Sequence, residues 1–236
     1  MSTDDALGKD ESTPENGVDP REALDPREAL GLSRNAADRA TALYNNVSRF
    51  YTGAWGLIWL IGYGAMWLGS LGHDGEPPVW AYLVFFGLMA IGLVAGGIVG
   101  IRSGGQMAGP SRLAGALYGW SWVITFGVGM SALGFIVDRY ELTGNAIGVL
   151  YNAVAAVLAG GLYMAGAATF KEPAMFVVGA VMAGLAPLGA GIGVPGGYLA
   201  MALVGGGLML SMFATQTWQV RKAGRAASSI GKEPSP

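Results

Sequence analysis

The chain has 236 residues, of which 52% are apolar, 13% are charged and 40 are glycine. About a quarter of the residues in a soluble globular domain are charged, so this composition excludes a soluble enzyme, a disordered protein and a basic nucleic-acid-binding protein. It predicts a protein whose main partner is the lipid bilayer. The net charge of -2 averages two unlike parts, because residues 1–32 hold nine acidic and three basic residues whereas residues 33–236 hold seven and eleven.

Few residues in the chain are suited to catalysis or metal binding. The sequence has no cysteine and a single histidine, His73, which lies in a predicted loop. Thiolate sites, histidine-based metal or haem sites and a serine–histidine relay each need more than this. We therefore expect a non-enzymatic protein with no catalytic residue, no metal and no cofactor.

The first 32 residues are rich in Asp, Glu, Pro, Gly and Ser, which predicts a disordered acidic cytoplasmic tail. This tail contains the hexapeptide DPREAL twice in tandem, at residues 19–24 and 25–30. Each Asp-Pro pair can start one helical turn with proline at its first position. The repeat is either a docking motif presented twice or a duplication in a tolerant linker, and we favour the duplication.

Residues 33–50 have the pattern of an amphipathic helix with Ser33 as its N-cap. Small and apolar residues recur at helical spacing on one face: Ala36, Ala40, Leu43, Val47 and Phe50. The other face carries Arg34, Arg39 and Arg49, which suit an anionic cytoplasmic leaflet. We expect this helix to lie along the membrane interface and then to turn into the first span. Packing on a partner protein is the alternative.

The rest of the chain divides into six predicted spans, because a hydrocarbon core of about 30 Å requires about 20 apolar residues per helix. The spans are residues 51–71, 79–101, 114–137, 146–170, 174–192 and 196–217. Glycines and Pro195 place a turn between Gly189 and Gly197. The sequence leaves open whether residues 184–197 form a simple hairpin or a helix broken at Pro187. Residues 218–236 are predicted to be a polar cytoplasmic tail.

The charges near the ends of the spans predict the orientation. Every basic residue except Arg139 lies in a terminal segment or in a link that follows the second or fourth span. The other links carry acidic residues, namely Asp74, Glu76, Asp138 and Glu141. Both termini are therefore predicted to be cytoplasmic, with the protein in the cell (inner or plasma) membrane.

The predicted spans contain no Asp, Glu, Lys or His. Proton relays and ion-coupled transporters use such groups despite an insertion cost of about 2.5–3.5 kcal/mol each, so we do not expect energised transport by this chain alone. Neutral polar residues remain as candidates for binding a substrate: Tyr118, Ser121, Thr125 and Ser131 in the third span and Asn152 in the fourth.

These polar residues have two interpretations. The spacing of Tyr118, Ser121 and Thr125 puts them on one helical face, and antiparallel packing would bring Ser131 and Asn152 to a similar depth. Hydrogen bonds between membrane helices contribute about 0.6 kcal/mol on average and hold helices together in many proteins that bind no ligand. We favour this packing role over a substrate site.

Glycines at spacings of four predict close helix packing. They occur as Gly92, Gly96 and Gly100 in the second span and as Gly115 and Gly119 in the third. An oligomer interface or a thin pore wall would use such faces, but packing within the chain explains them more simply.

The predicted fold is an all-α integral membrane protein, with six transmembrane helices in one bundle preceded by an amphipathic interfacial helix. The predicted function is that of a membrane subunit or scaffold that acts through helix–helix assembly, with itself or with another membrane protein. The alternative is a passive transporter or permease-like component for a small neutral or lipophilic solute.

Overall fold

The computed structural model describes the backbone of residues 25–104 and 110–230. Within these ranges the chain is helical and contains no strand. The helices are α1 (Pro26–Ser70), α2 (Val79–Gly104), α3 (Pro110–Arg139), α4 (Asn145–Phe170), α5 (Pro173–Ile192), α6 (Gly196–Ala200) and α7 (Gly207–Ile230), with a π-helical segment, Met201–Gly206, between α6 and α7.

Five stretches in the described ranges are long and apolar enough to cross a membrane. They are Val79–Gly104, Arg112–Arg139, Asn145–Phe170, Pro173–Ile192 and Gly196–Ala223. The described chain is therefore all-helical, with five helices of the length and composition that multi-pass membrane proteins have. The predicted first span, residues 51–71, is not among the five, because glycine, tryptophan and tyrosine reduce its hydropathy.

The chain divides into two compact units after Thr41, and α1 belongs to both. In the first unit α1 begins at Pro26, seven residues before the predicted start at Ser33. The carboxylate of Asp25 accepts a hydrogen bond of 3.0 Å from the backbone N–H of Arg27, so the second DPREAL copy starts a helix with proline first, as its sequence predicts. Residues 26–32 are thus helical where the sequence predicts disorder, and residues 1–24, with the first copy, lie outside the described residues.

In the second unit, Ala42–Pro236, helix α1 continues through the predicted turn at residue 50. The helix does not turn there, because neither glycine nor proline stands at residue 50 to interrupt the helical hydrogen bonds. The hydroxyl of Thr52 donates to the backbone oxygen of Ser48, one turn earlier, at 3.0 Å. The change from a charged to an apolar composition at residue 50 therefore occurs within a continuous helix.

Helix α1 packs antiparallel to α2 along the whole apolar stretch. A Cβ atom added to Gly69 would lie 3.0 Å from Ala81, near the start of α2, and one added to Gly62 would lie 3.0 Å from the ring of Phe85. At the other end of the contact, the hydroxyl of Tyr51 donates to the backbone oxygen of Gly96 at 2.6 Å. Residues 51–70 thus run beside α2 from end to end.

Helices α4 and α5 approach each other closely. A Cβ atom added to Gly160 would lie 2.6 Å from the backbone oxygen of Gly179, and one added to Gly179 would lie 2.6 Å from the backbone oxygen of Gly160. The link between these helices has two residues: Lys171 is left-handed, with φ 56°, and Pro173 occupies the first turn of α5. The left-handed residue and the proline let the chain reverse its direction within this short link and bring the two backbones together.

The break between the last two predicted spans lies where the sequence predicts it. Helix α5 ends at Ile192, Gly193 has φ 74°, the Val194–Pro195 peptide is cis, and α6 begins at Gly196. Pro187 lies inside α5 without ending it, so residues 184–197 form a simple hairpin. The final helix extends past the predicted end of the span at residue 217 to Ile230.

The core lies between the apolar half of α1 and the helices from α4 to α7. Its largest fully buried side chains are methionines, Met182, Met201 and Met209. Helix α3 contributes little to this core: among its described side chains only Leu133 is buried, at 5% exposure. The buried polar residues of the described chain are Ser70 of α1, Ser103 of α2 and Asn152 of α4.

Candidate functional site

Tyr118, Ser121 and Thr125 lie on one half-buried face of α3, the face that meets α4. The hydroxyl of Tyr118 donates to the backbone oxygen of Leu162 at 3.2 Å, and the hydroxyl of Ser121 donates to the backbone oxygen of Tyr118 at 2.7 Å. Both hydroxyls are thus engaged with backbone. This arrangement fits the predicted packing role rather than a substrate site.

Aromatic rings surround this face of α3 and fill the space beside α4. The ring of Tyr118 lies edge-on to Phe170 at 5.2 Å, and Trp122 lies edge-on to Tyr163 at 5.3 Å and stacks on Phe126 at 5.7 Å. Each such pair contributes about 0.5–1.5 kcal/mol beyond its area burial. The polar residues that the sequence singles out are therefore part of an aromatic contact between α3 and α4.

The predicted pair of Ser131 and Asn152 does not form. Asn152 is buried, with 7% of its surface exposed, whereas Ser131 is exposed. Gly129, two residues from Ser131, faces Leu158 of α4. Two residues correspond to about 200° around a helix, so Ser131 points away from α4 although its depth suits the pair.

Asn152 instead faces the hairpin between α5 and α6. Its side-chain nitrogen lies 3.4 Å from a Cβ atom added to Gly189 and 3.5 Å from one added to Gly197. Its side-chain oxygen is buried and has no hydrogen-bond partner among the described residues. A buried acceptor without a hydrogen-bond partner lowers the free energy of unfolding by about 1–3 kcal/mol, so Asn152 destabilises the fold in this position.

Two buried tyrosines lie near the same hairpin. Tyr198 lies in α6, is 4% exposed and meets Gly148, one turn before Asn152 on α4. Its ring stacks at 6.5 Å on that of Tyr63, which is 5% exposed. We call Asn152, Tyr198 and Tyr63 the hairpin cluster. Sequence reasoning missed both tyrosines, because in the sequence they resemble the other aromatic residues of the spans.

The five predicted polar residues therefore do not form one site. Tyr118 contacts Leu162, which is ten residues from Asn152 along α4, or about 15 Å at 1.5 Å per residue. Ser121 and Thr125 lie on the face with Tyr118, and Ser131 is on the exposed side of α3. Of the five, only Asn152 lies in the buried core.

The predicted glycine faces also differ. On α2, a Cβ added to Gly92 would meet Ile58. One added to Gly96 would lie 3.1 Å from the ring of Tyr51, and one added to Gly100 would lie 3.3 Å from the Tyr51 hydroxyl. This face is filled from within the chain, as the simpler interpretation predicts. Gly115 and Gly119 on α3 have nothing within 4 Å of an added Cβ.

Two close contacts involve glycines that the sequence did not distinguish. One is the crossing of Gly160 and Gly179 between α4 and α5, and the other joins α1 to the π-helical segment. In the second, an added Cβ on Gly206 would lie 3.1 Å from the backbone oxygen of Gly56 and 2.8 Å from the backbone nitrogen of Leu60. The facing glycine of each crossing lies in another helix, so spacing within one helix does not reveal it.

Polar contacts occur at both ends of the second unit. At one end the Asn145 amide donates to the backbone oxygen of Asp74 at 2.8 Å, which joins two of the acidic links. At the other end the amide of Gln216 on α7 donates to the hydroxyl of Ser48 at 3.0 Å, and Tyr44 lies beside Glu172. Burial, followed by the charge of Glu172, raises the pKa of Tyr44 above its ordinary value, so its phenol stays protonated at neutral pH.

The sites described above consist of helix-packing contacts and polar contacts. In the described parts of the chain, no group of three or more Asp, Glu, His or Cys residues is placed to hold a metal ion. Comparisons with protein-family models, curated proteins and solved structures found nothing that matches this chain. The function must therefore be argued from the chain's own surfaces.

Proposed function

We propose that the protein is a non-enzymatic membrane subunit or scaffold that spans the membrane six times and acts by helix–helix assembly. The observation that carries this proposal is the open glycine face of α3, formed by Gly115 and Gly119. A face of this kind lets another helix approach closely, and no helix of the described chain occupies it. The partner is a second copy of the chain or another membrane protein.

Residues 51–70 of α1 are the membrane span that the proposal adds to the five described above, and they come first in the chain. This stretch has no charged residue and lies beside α2 from Gly69 and Ala81 to Tyr51 and Gly96. A helix packed along the full length of a membrane span crosses the same thickness of bilayer. Its glycines and amphipathic aromatic residues lower its hydropathy, but they suit a span that is covered by neighbouring helices.

The proposed location is the cell membrane, with both termini in the cytoplasm. The contact of Asn145 with Asp74 supports this topology, because it brings together the two links that carry the acidic residues. The contact of Tyr198 with Gly148 adds the hairpin to the same end. Lys171 and the basic residues of α7 belong to the segments that the positive-inside rule assigns to the cytoplasm.

The exposure of α3 supports assembly further. Only 6% of its most apolar window is buried, against 39% for the window in Gly196–Ala223. Lipid covers apolar helix faces of any composition, so exposure alone does not require a protein partner. Glycines on such a face add nothing to contact with lipid, but they permit the short interhelical distances on which helix association depends.

The test compares Gly119→Leu with Gly97→Leu, a matched change on the exposed side of α2, where an added Cβ also meets nothing within 4 Å. The full-length protein is purified in mild detergent from native membranes, and its oligomeric mass and bound proteins are measured. We expect Gly119→Leu to abolish the association and Gly97→Leu to preserve it. Equal behaviour of the two variants, or a wild-type protein that is monomeric and alone, would contradict the proposal.

A second candidate function is passive passage of a small neutral solute, and the free side-chain oxygen of Asn152 favours it. An unpaired buried acceptor beside a hairpin is a feature that a solute donor would satisfy. The test is solute uptake by vesicles that contain the purified protein. Loss of uptake in Asn152→Leu with an unchanged melting temperature would favour this function over assembly.

A further inference from the structure

A polar cavity lies between the second unit's part of α1 and α7, next to the residue where the charge-free stretch of α1 begins. Its volume is about 240 Å³, and it is lined by Asn45, Arg49, Gln216, Gln219, Val220 and Ala223. This volume holds several water molecules at about 30 Å³ each, or one small polar group. The position is that of a lipid headgroup if residues 51–70 cross the membrane.

Arg49 is the charged residue of this cavity. Its Nε atom is buried without a hydrogen-bond partner, and one terminal nitrogen of its guanidinium donates to the side-chain oxygen of Asn46. No acidic partner of Arg49 is found among the described residues. A cation placed in this way has unused donors and no counter-ion among the described residues, which favours an anion that brings several oxygen acceptors.

The wall beside Arg49 is fixed by the chain itself. The amide nitrogen of Gln216 donates to Ser48 at 3.0 Å, and its amide oxygen accepts from the hydroxyl of Thr52 at 3.2 Å. These contacts hold α7 against α1 and leave the amides of Asn45 and Gln219 on the cavity. Amide and guanidinium N–H groups from two helices thus converge on one space.

The remaining lining residues of the cavity indicate which kind of anion it would bind. Val220 and Ala223 supply an apolar side, and Arg221 and Lys222 follow on the same helix and add positive charge. We propose that the cavity binds the phosphate of an anionic membrane lipid, with Arg49 as its main ligand and Asn45 and Gln219 as further donors. The same chemistry would accept free inorganic phosphate, but the apolar side and the membrane position favour the lipid. The inference rests on the membrane position of α1 and is independent of assembly.

The experiment measures lipid binding to the full-length protein in detergent by native mass spectrometry. The probes are phosphatidylglycerol, phosphatidylcholine and inorganic phosphate. We expect tighter binding of phosphatidylglycerol than of phosphatidylcholine, and about a tenfold loss of phosphatidylglycerol affinity in Arg49→Gln, which removes a charge-assisted hydrogen bond. The control is Arg112→Gln, which removes the same charge from an exposed position of α3 outside the cavity and should have little effect.

Three results would overturn the proposal. An equal loss in Arg112→Gln would mean that binding follows net charge and not the cavity. Equal binding of the two lipids would remove the anionic selectivity, and binding of inorganic phosphate alone would exclude the lipid as the source. If Arg49→Gln does not fold, Gln219→Leu replaces it, because Gln219 is exposed and lines the same cavity. A several-fold loss is then expected, and unchanged affinity would contradict the proposal.

Discussion

Helices α2 and α3 carry the same small-residue spacing and use it differently. On α2, Gly92 and Gly96 receive the side chains of Ile58 and Tyr51 from α1. On α3, Gly115 and Gly119 receive nothing within 4 Å. A GxxxG spacing therefore predicts that a helix face allows close approach, but the connectivity of the chain decides whether one of its own helices fills that face.

The reason for the difference lies in the neighbours of each helix. Helix α2 follows α1 through a short link and lies against it along its whole length, so its glycines are covered by the preceding helix. Helix α3 meets α4 through the side chains of Tyr118 and Trp122, whereas Gly115 and Gly119 are exposed and have no described atom within 4 Å of an added Cβ. The aromatic residues are used within the chain, and the two glycines are left open to a partner by the described helices.

The largest expected effect is on folding, and it distinguishes two adjacent glycines: Gly160 packs against α5, whereas Gly161 has nothing within 4 Å of an added Cβ. In Gly160→Leu the new side chain would begin 2.6 Å from backbone atoms of Gly179 and Ala183, which a side-chain movement cannot relieve. We expect no folded protein in detergent, measured as recovery of a monodisperse peak. Gly161→Leu is the control, since nothing lies within 4 Å of a Cβ there, and its recovery should equal that of the wild type.

The next prediction compares the two GxxxG faces directly. Gly96→Leu must displace the ring of Tyr51, which lies 3.1 Å from an added Cβ, and overpacking of this kind costs about 1–3 kcal/mol. Gly119→Leu should leave the stability of the monomer unchanged. Thermal unfolding of both variants in detergent, followed by tryptophan fluorescence, checks this. A larger loss in Gly119→Leu than in Gly96→Leu would reverse our assignment of the two faces.

A smaller effect is expected for Tyr51→Phe. It removes the hydrogen bond from Tyr51 to the backbone oxygen of Gly96 but keeps the ring, and such bonds contribute about 0.6 kcal/mol on average between membrane helices. Tyr140→Phe is the control, because 72% of Tyr140 is exposed. A small fall in melting temperature for Tyr51→Phe alone would show that α1 is fastened to α2 at this point. Identical melting temperatures would mean that ring packing alone holds the contact.

Much of the fold could be predicted from the sequence because hydropathy and charge determine where an apolar helix begins and ends. The hairpin near Gly193 follows from glycine and proline chemistry in the same way. The site could not be predicted, because spacing gives depth but not the direction of a side chain towards a neighbour. Ser131 and Asn152 have suitable depths and face different surroundings.

The smallest effect on stability is expected for Asn152→Leu, and its sign is informative. The substitution removes a buried oxygen that has no partner and replaces an amide by an apolar group of similar size. Such a change is neutral or stabilising when no hydrogen bond is lost, so we expect the melting temperature to stay the same or to rise. A fall of several degrees would mean that the Asn152 oxygen is satisfied in the membrane by a water molecule or a solute. The hairpin cluster would then be an occupied polar site.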